Sequence, residues 1–428
     1  KQKSPRAFLL ALNERKQRLK GLCAESVKEK DMKKRKNKKG FTIAELVIVI
    51  AVIAILAAVL IPTFSSLIKK AKISADTQLA KNMNTALTMA EAEGNTLDNF
   101  TDVIEAIEKA GFIVANLNPT ADGMLYVWEM ESNQILMVDA KNGFEVVYQA
   151  KSLENTVIGE TWFVICHDDE TASAARNAGA VVTNISWQGD THIAKDVDSF
   201  TDAVANARDG DAVIMSGELV LTNPLTIQNE ISFVSYDNNA IVSAAPISIY
   251  SNVTMQNITF DTPENASKNA SAVYVKGDQV KEVLFDGCTF LNCAWDSIQI
   301  TSESLEKITI RNCHFENNLD LHETTHTPQE GEARESRGWR YIHIEFKNVV
   351  AVQTIITDNT FVNVSNEFVG DSAITIYGIP KANMVFQNNL VTGDGSDVLT
   401  TSQVWISDGL NASALLSPDE FTNLIASA

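Results

Sequence analysis

Residues 33–61 read KKRKNKKGFTIAELVIVIAVIAILAAVLI. Six bases (Lys33, Lys34, Arg35, Lys36, Lys38 and Lys39) lead up to Gly40, and the 21 residues from Phe41 to Ile61 then carry one charge, Glu45. As a helix rising about 1.5 Å per residue, that apolar run is roughly 31 Å long, enough to cross a bilayer. A carboxylate one turn inside such a run is costly in lipid and therefore marks a function. The Lys/Arg excess before the run predicts a cytoplasmic N-terminus and an exported remainder.

The order of glycine, aromatic residue, glutamate and long apolar run resembles the processing site of type IV prepilins and pseudopilins. An ordinary signal anchor would gain nothing from a glutamate at that depth. The resemblance implies that a prepilin peptidase cuts between Gly40 and Phe41 and that Phe41 becomes N-methylated. Glu45 is then the fifth mature residue, and its implied partner is the free amine of Phe41 on a neighbouring subunit. Pro62 matches the family's helix-kinking proline. Residues 1–40 become a leader. A start at Met32 would give a leader of the family's usual kind, with residues 1–31 a start-site artefact or a longer leader. The implied partners are the prepilin peptidase, other pilin or pseudopilin subunits, and the membrane, crossed once before assembly.

The charge balance changes at that cut. Residues 1–40 hold 15 bases and 4 acids, a net +11, while residues 41–428 hold 20 bases and 50 acids, a net −30. An acidic exported part argues against a nucleic-acid surface, which needs clustered Lys and Arg. No cofactor is expected, with calcium alone left open because acidic surfaces attract divalent cations. Of the five cysteines, Cys23 leaves with the leader. Cys166, Cys288, Cys293 and Cys313 form no CxxC pair, so no zinc ribbon is suggested.

Past Pro62, Leu67, Ala71, Ala75, Leu79, Met83, Leu87 and Ala90 recur about every four positions, opposite Lys69, Lys70, Lys72, Asp76 and Lys81. The N-terminal helix is therefore expected from Phe41 to about Glu93, breaking at Gly94-Asn95. Residues 101–109 read as a second helix. Residues 125–129, 134–138 and 144–148 read as strands, with turns at Asp122-Gly123 and Asn142-Gly143. The expected organisation is a transmembrane half of the helix at 41–61 and a small pilin-like α/β module at 62–150. Residues 151–197 are an unassigned linker, apart from a strand at 162–165 and a short helix at 170–177.

From residue 198 a repeat appears: Asn257-Ile-Thr-Phe260, Gly287-Cys-Thr-Phe290, Asn312-Cys-His-Phe315, Asp358-Asn-Thr-Phe361, and a degenerate copy ending at Leu390. The anchors are 30, 25, 46 and 29 residues apart. An insertion of about 20 residues at 319–338 accounts for the long interval. Short strands at this period predict the stacked coils of a parallel β-helix, with Phe inside and Asn or Gly at a turn of positive φ. A two-sheet sandwich is the competing arrangement. Residues 198–227 also resemble the helix-capped start of right-handed, pectate-lyase-like β-helices, and residues 417–428 would form the far cap. Cys288 and Cys313 fall two residues before a repeated Phe. They are read as buried thiols, with a disulfide within reach of the coil spacing.

His322-Glu323-Thr-Thr-His326 matches HExxH, but two threonines and nearby Pro328 and Gly331 oppose the helix a zinc protease needs, so the match reads as chance. Trp339, Arg340 and Tyr341 follow it and read as a loop able to contact sugar or protein. Lys281, Lys307 and Arg311 are isolated bases, and no paired-aspartate motif appears in the coils, so no catalytic residues are assigned. The expected protein is a filament subunit, a minor or tip pilin or pseudopilin, displaying a β-helix for adhesion or polysaccharide binding. The alternatives are a membrane-tethered polysaccharide lyase or hydrolase, and a pseudopilin of a secretion or DNA-uptake system.

Overall fold

A computed structural model describes residues 42–152, 162–184, 187–235, 240–243, 246–261, 271–293, 296–316, 340–364, 372–393 and 404–407. Two units make up the chain, Lys1–Lys70 and Ala71–Ala428.

The first unit contributes the early turns of helix α1 (Ile43–Ala92). Apolar side chains surround it: Ile43, Ile53, Val59 and Phe64 are 83, 59, 67 and 58% exposed. A helix that is apolar all round has no inside face of its own and needs an apolar medium or other helices. The helix runs on through Pro62, which withholds the N–H that the Ala58 carbonyl would accept.

In the second unit α1 becomes one-sided. Ala80, Met83, Leu87 and Ala90 are buried at helical spacing. They pack with α2 (Phe100–Lys109), whose Asn99 side chain caps the Asp102 N–H. The sheet beneath them orders as β3-β2-β1-β4-β5: β1 (Met124–Glu129), β2 (Gln134–Asp139), β3 (Glu145–Tyr148), β4 (Trp162–Cys166) and β5 (Val181–Asn184). Pairing is antiparallel except between β4 and β5, which are parallel and joined through α3 (Asp169–Asn177). Residues 162–184, left unassigned as a domain by sequence, thus complete the small α/β sheet.

Polar bonds fix the helix on this sheet. The Asn84 amide donates to the Ile135 carbonyl and accepts from its N–H, both at 2.8 Å. Buried Asp76 accepts from the Thr120 N–H and hydroxyl and from the Ala121 N–H, so its desolvated carboxylate is satisfied.

The described residues from Thr191 on form a parallel β-helix, and the expected far cap at 417–428 lies outside the described residues. A short strand, β6 (Thr191–Ala194), and a helix, α4 (Val197–Asn206), precede the coils. Asp196 and Ser199 form a capping box at the start of α4, and Phe200, Ala203 and Val204 of that helix close the near end of the core. Each coil then contributes one strand to each of three sheets, and all pairing between coils is parallel. The first sheet runs through strands such as Ile231–Ser235, Glu282–Asp286 and Lys307–Arg311; the second through Thr259–Asp261, Thr289–Leu291 and His314–Glu316; the third through Val273–Val275, Ile298–Ile300 and Arg340–Glu345.

Four of the five repeated anchors behave as their spacing predicts; the fifth, Leu390, does not, for it pairs with Thr360, is 50% exposed, and leaves the register of Phe361 to Val391. Phe260, Phe290, Phe315 and Phe361 stack in register with ring centroids 4.8, 4.9 and 4.7 Å apart. The turn residues Asn257, Gly287, Asn312, Asp358 and Asn388 all have φ between 55° and 69°. At Gly287 a Cβ would lie 2.4 Å from the Asn257 Oδ1, so the Asn257 side chain of the coil before it favours glycine there. Cys288 and Cys313 occupy the position after that turn as buried free thiols, and burial raises the Cys313 thiol well above its usual range. In the last coils Asn359 and Asn389 take the same place, their amides donating to the carbonyls of Ile310 and Ile356.

The α/β sheet and the β-helix share one apolar cluster, which includes Ala212, Ile214 and Val234 of the first β-helix sheet along with Trp128 and Phe163. Beside it lies a buried ion cluster. The fully buried Asp286 carboxylate accepts from Arg176 (2.9 Å), Arg311 (3.0 Å) and Asn312 (2.7 Å), and Arg311 also reaches Asp169 at 2.7 Å. Three donors on one carboxylate offset the cost of removing it from water.

Candidate functional site

The candidate site begins at the first described residue. Thr42 is the N-cap of α1. Its hydroxyl accepts from the Glu45 N–H at 3.2 Å, while Glu45 Oε2 accepts from the Thr42 N–H at 2.8 Å and its hydroxyl at 2.9 Å. This is a reciprocal capping box, which satisfies free donors of the first helical turn and favours an acid near the positive end of the helix. The Thr-x-x-Glu spacing was legible in sequence, but Glu45 was read there only as a carboxylate awaiting a partner. The structure supplies a local one. Glu45 is thus held one turn inside an apolar run whose mean hydropathy reaches 3.1 and of which none is buried in the chain. A carboxylate so placed can accept a charge-assisted bond from a cation in place of its local donors.

Gly40 and Phe41, on either side of the expected cut, lie outside the described residues, as do His322, Glu323, His326 and Trp339. Arg340 and Tyr341 are described, and they correct the reading of an exposed contact loop. Both belong to the strand Arg340–Glu345. Tyr341 points into the core, 3% exposed, with its ring 5.6 Å from Phe315 and 5.9 Å from Phe361 and its hydroxyl bonded to the Val362 carbonyl. Arg340 donates to fully buried Asp296 at 3.1 Å, and Asp296 also meets His343 Nδ1 at 2.8 Å. The dense charges of the neighbouring insertion suggested a continuous loop. The alternation of Ile342 and Ile344 that marks a strand was hidden by them.

Comparison with known proteins agrees with the N-terminal geometry. Residues 35–61 match the family described as the prokaryotic N-terminal methylation motif. A fimbrial protein of Moraxella nonliquefaciens is 31% identical over 131 residues, which is 29% of this chain and 84% of that protein. A capped apolar helix with an embedded glutamate, leading into a helix-on-sheet module, defines a type IV pilin-like subunit. The chain belongs to the family of fimbrial proteins that carry this methylation motif. Among solved structures it is similar to AlyGC, a PL6 family alginate lyase, with 11% identity and a TM-score of 0.33 over 54% of this chain and 31% of the enzyme. A mutant of the same enzyme gives 12% identity and a TM-score of 0.27 over 67% of this chain and 46% of its own. The chain therefore spans less than half the length of either lyase structure.

Proposed function

We propose that this chain is a prepilin cut between Gly40 and Phe41 by a prepilin peptidase, N-methylated at Phe41, and assembled as a minor or tip subunit that carries its β-helix outside the cell. In this role it is a structural and adhesive protein rather than an enzyme. The observation that carries the proposal is the Thr42–Glu45 box at the head of an unburied apolar helix. Before assembly the box satisfies the carboxylate within the chain's own first turn. During assembly the amine of a neighbouring Phe41 replaces it, which gives each subunit a register for entry into the filament. The basic block before Gly40 holds the leader in the cytoplasm, so the C-terminal domain faces outward. A minor or tip place follows from bulk. A β-helix occupying most of the chain after residue 190 would crowd every position of a filament in which it repeated.

The test is Glu45→Val in cells that assemble the filament. Membrane-bound chain should remain at its normal amount, while chain recovered in sheared filaments falls at least tenfold. Wild-type filament recovery from the valine variant would remove Glu45 from assembly.

A further inference from the structure

The three sheets of the β-helix differ on their outward sides. The first is covered in its early coils by the α/β sheet, through Ala212, Ile214 and Val234. The second turns out residues such as Val220, Asp261, Leu291, His314 and Glu316, and no Phe, Tyr or Trp ring whose side chain is described. The third carries every outward ring of those three kinds among the described residues of the β-helix: Tyr250, Tyr274 and Tyr377.

Register places them. Val273 and Val275 are fully buried, so Tyr274 between them faces out. The pairs Ile249↔Val275, Val275↔Ile300, Ile300↔Ile344 and Glu345↔Tyr377 bring Tyr250, Lys276, Thr301, Glu345 and Tyr377 into one rank across five coils. At about 4.8 Å per coil, the two end tyrosines are about 19 Å apart. Lys276 Nζ lies 4.5 Å from the Tyr274 ring centroid and 5.5 Å from that of Tyr250, which engages the cation and steadies both rings. The Thr301 hydroxyl donates to the Tyr274 hydroxyl at 3.3 Å. Behind the rank, the buried Asp296–His343–Arg340 cluster stiffens the sheet. Glu345, with 49% of its side chain exposed, presents acceptors at the surface.

We propose that this outward side of the third sheet binds an uncharged oligosaccharide lying along the coils, with Tyr250 and Tyr274 as stacking platforms and Glu345 and Thr301 as hydrogen-bonding groups. The proposal rests on reading the β-helix as a displayed adhesive domain. Ligand charge is argued from the molecule. The part after Gly40 carries −30, which repels an anionic polymer on approach. A cationic polymer would meet Lys276 on the face itself. A neutral sugar meets neither penalty: its C–H face covers a tyrosine ring and its hydroxyls reach the carboxylate and hydroxyl beside it.

The test uses the full chain in detergent on an array of neutral hexose and N-acetylhexosamine oligosaccharides, with oligouronates alongside. The expected result is retention of neutral members. Binding of the best of them should weaken at least tenfold in Tyr274→Ala and severalfold in Glu345→Gln, and stay unchanged in Glu316→Gln on the second sheet, with equal thermal midpoints throughout. Glu345→Gln keeps the test valid if a tyrosine variant misfolds. Equal binding by wild type and all third-sheet variants would overturn this face as the site while leaving the adhesive reading intact. Preference for oligouronates would overturn the uncharged class. Retention of no sugar would overturn the inference and the glycan side of the adhesive reading together. Peptidase cleavage and filament recovery of the same chain would then judge the subunit reading by themselves.

Discussion

Residues 43–61 and the β-helix coils are built largely from the same isoleucine, valine and leucine, yet they meet opposite environments. Ile53 in the first is 59% exposed, whereas Ile298 and Ile342 in the second are fully buried. Composition does not separate them; spacing does. An unbroken apolar run wraps a helix on all sides and leaves the chain without a core there, so its burial must come from lipid or from other subunits. Apolar residues at alternate positions of three- to six-residue strands give an inside and an outside, and stacked coils close the inside on themselves. One chain thus holds a region whose stability is borrowed from its surroundings and a region that carries its own.

Substitutions can break that contrast in graded steps. Phe315→Ala removes one of the two inner rings of the four-ring stack and should destabilise the β-helix by about 3–5 kcal/mol, seen as a lower denaturation midpoint. A loss below about 1 kcal/mol would mean that the ring does not fill the core as its burial implies. Asp286→Ala leaves Arg176 and Arg311 without their shared carboxylate and should cost about 3 kcal/mol by the same measurement. Gly287→Ala, forced to a φ of 69° and against Asn257, should cost about 1–3 kcal/mol. The smallest effect is expected from Ile53→Ala, which should leave the denaturation of the exported domains unchanged, because that side chain has no partner inside the chain.

Acid should act on the β-helix near its start. Burial opposes the charge of Asp211, but bonds from the Arg208 and Asp190 N–H groups and from His192 outweigh it and hold the carboxyl below its usual range. A carboxylate depressed on folding lends stability above its unfolded pKa of about 3.9 and loses it as pH falls through the lower folded value. Wild type should therefore lose stability below about pH 4, and Asp211→Asn should show a shallower acid limb in pH-dependent denaturation.

What could be read from sequence follows the same division. The processing segment was legible because its signal is dense: glycine, aromatic residue, glutamate and apolar run fall within 21 residues of Gly40. The coils were legible because Asn or Gly recurs three residues before Phe, and each such residue has positive φ. The missing parts depend on partners far apart in sequence. Residues 162–165 were visible as a local strand and 170–177 as a helix, but the strand Val181–Asn184 and the pairing that adds both strands to the α/β sheet were not. Asp286 gathers Arg176 from 110 residues away, a distance at which no periodicity operates. Tyr341 was misplaced because its strand directly follows a charged insertion, and local polarity outweighed a short alternation.

The account depends most on where the mature chain begins. Co-expression with an active prepilin peptidase, followed by N-terminal sequencing and intact mass, measures it directly. The predicted product starts at N-methylated Phe41, lacks all of residues 1–40, and is recovered in surface filaments. A chain that keeps its basic leader while a control prepilin in the same cells is cut, or that begins at any other residue, would contradict it.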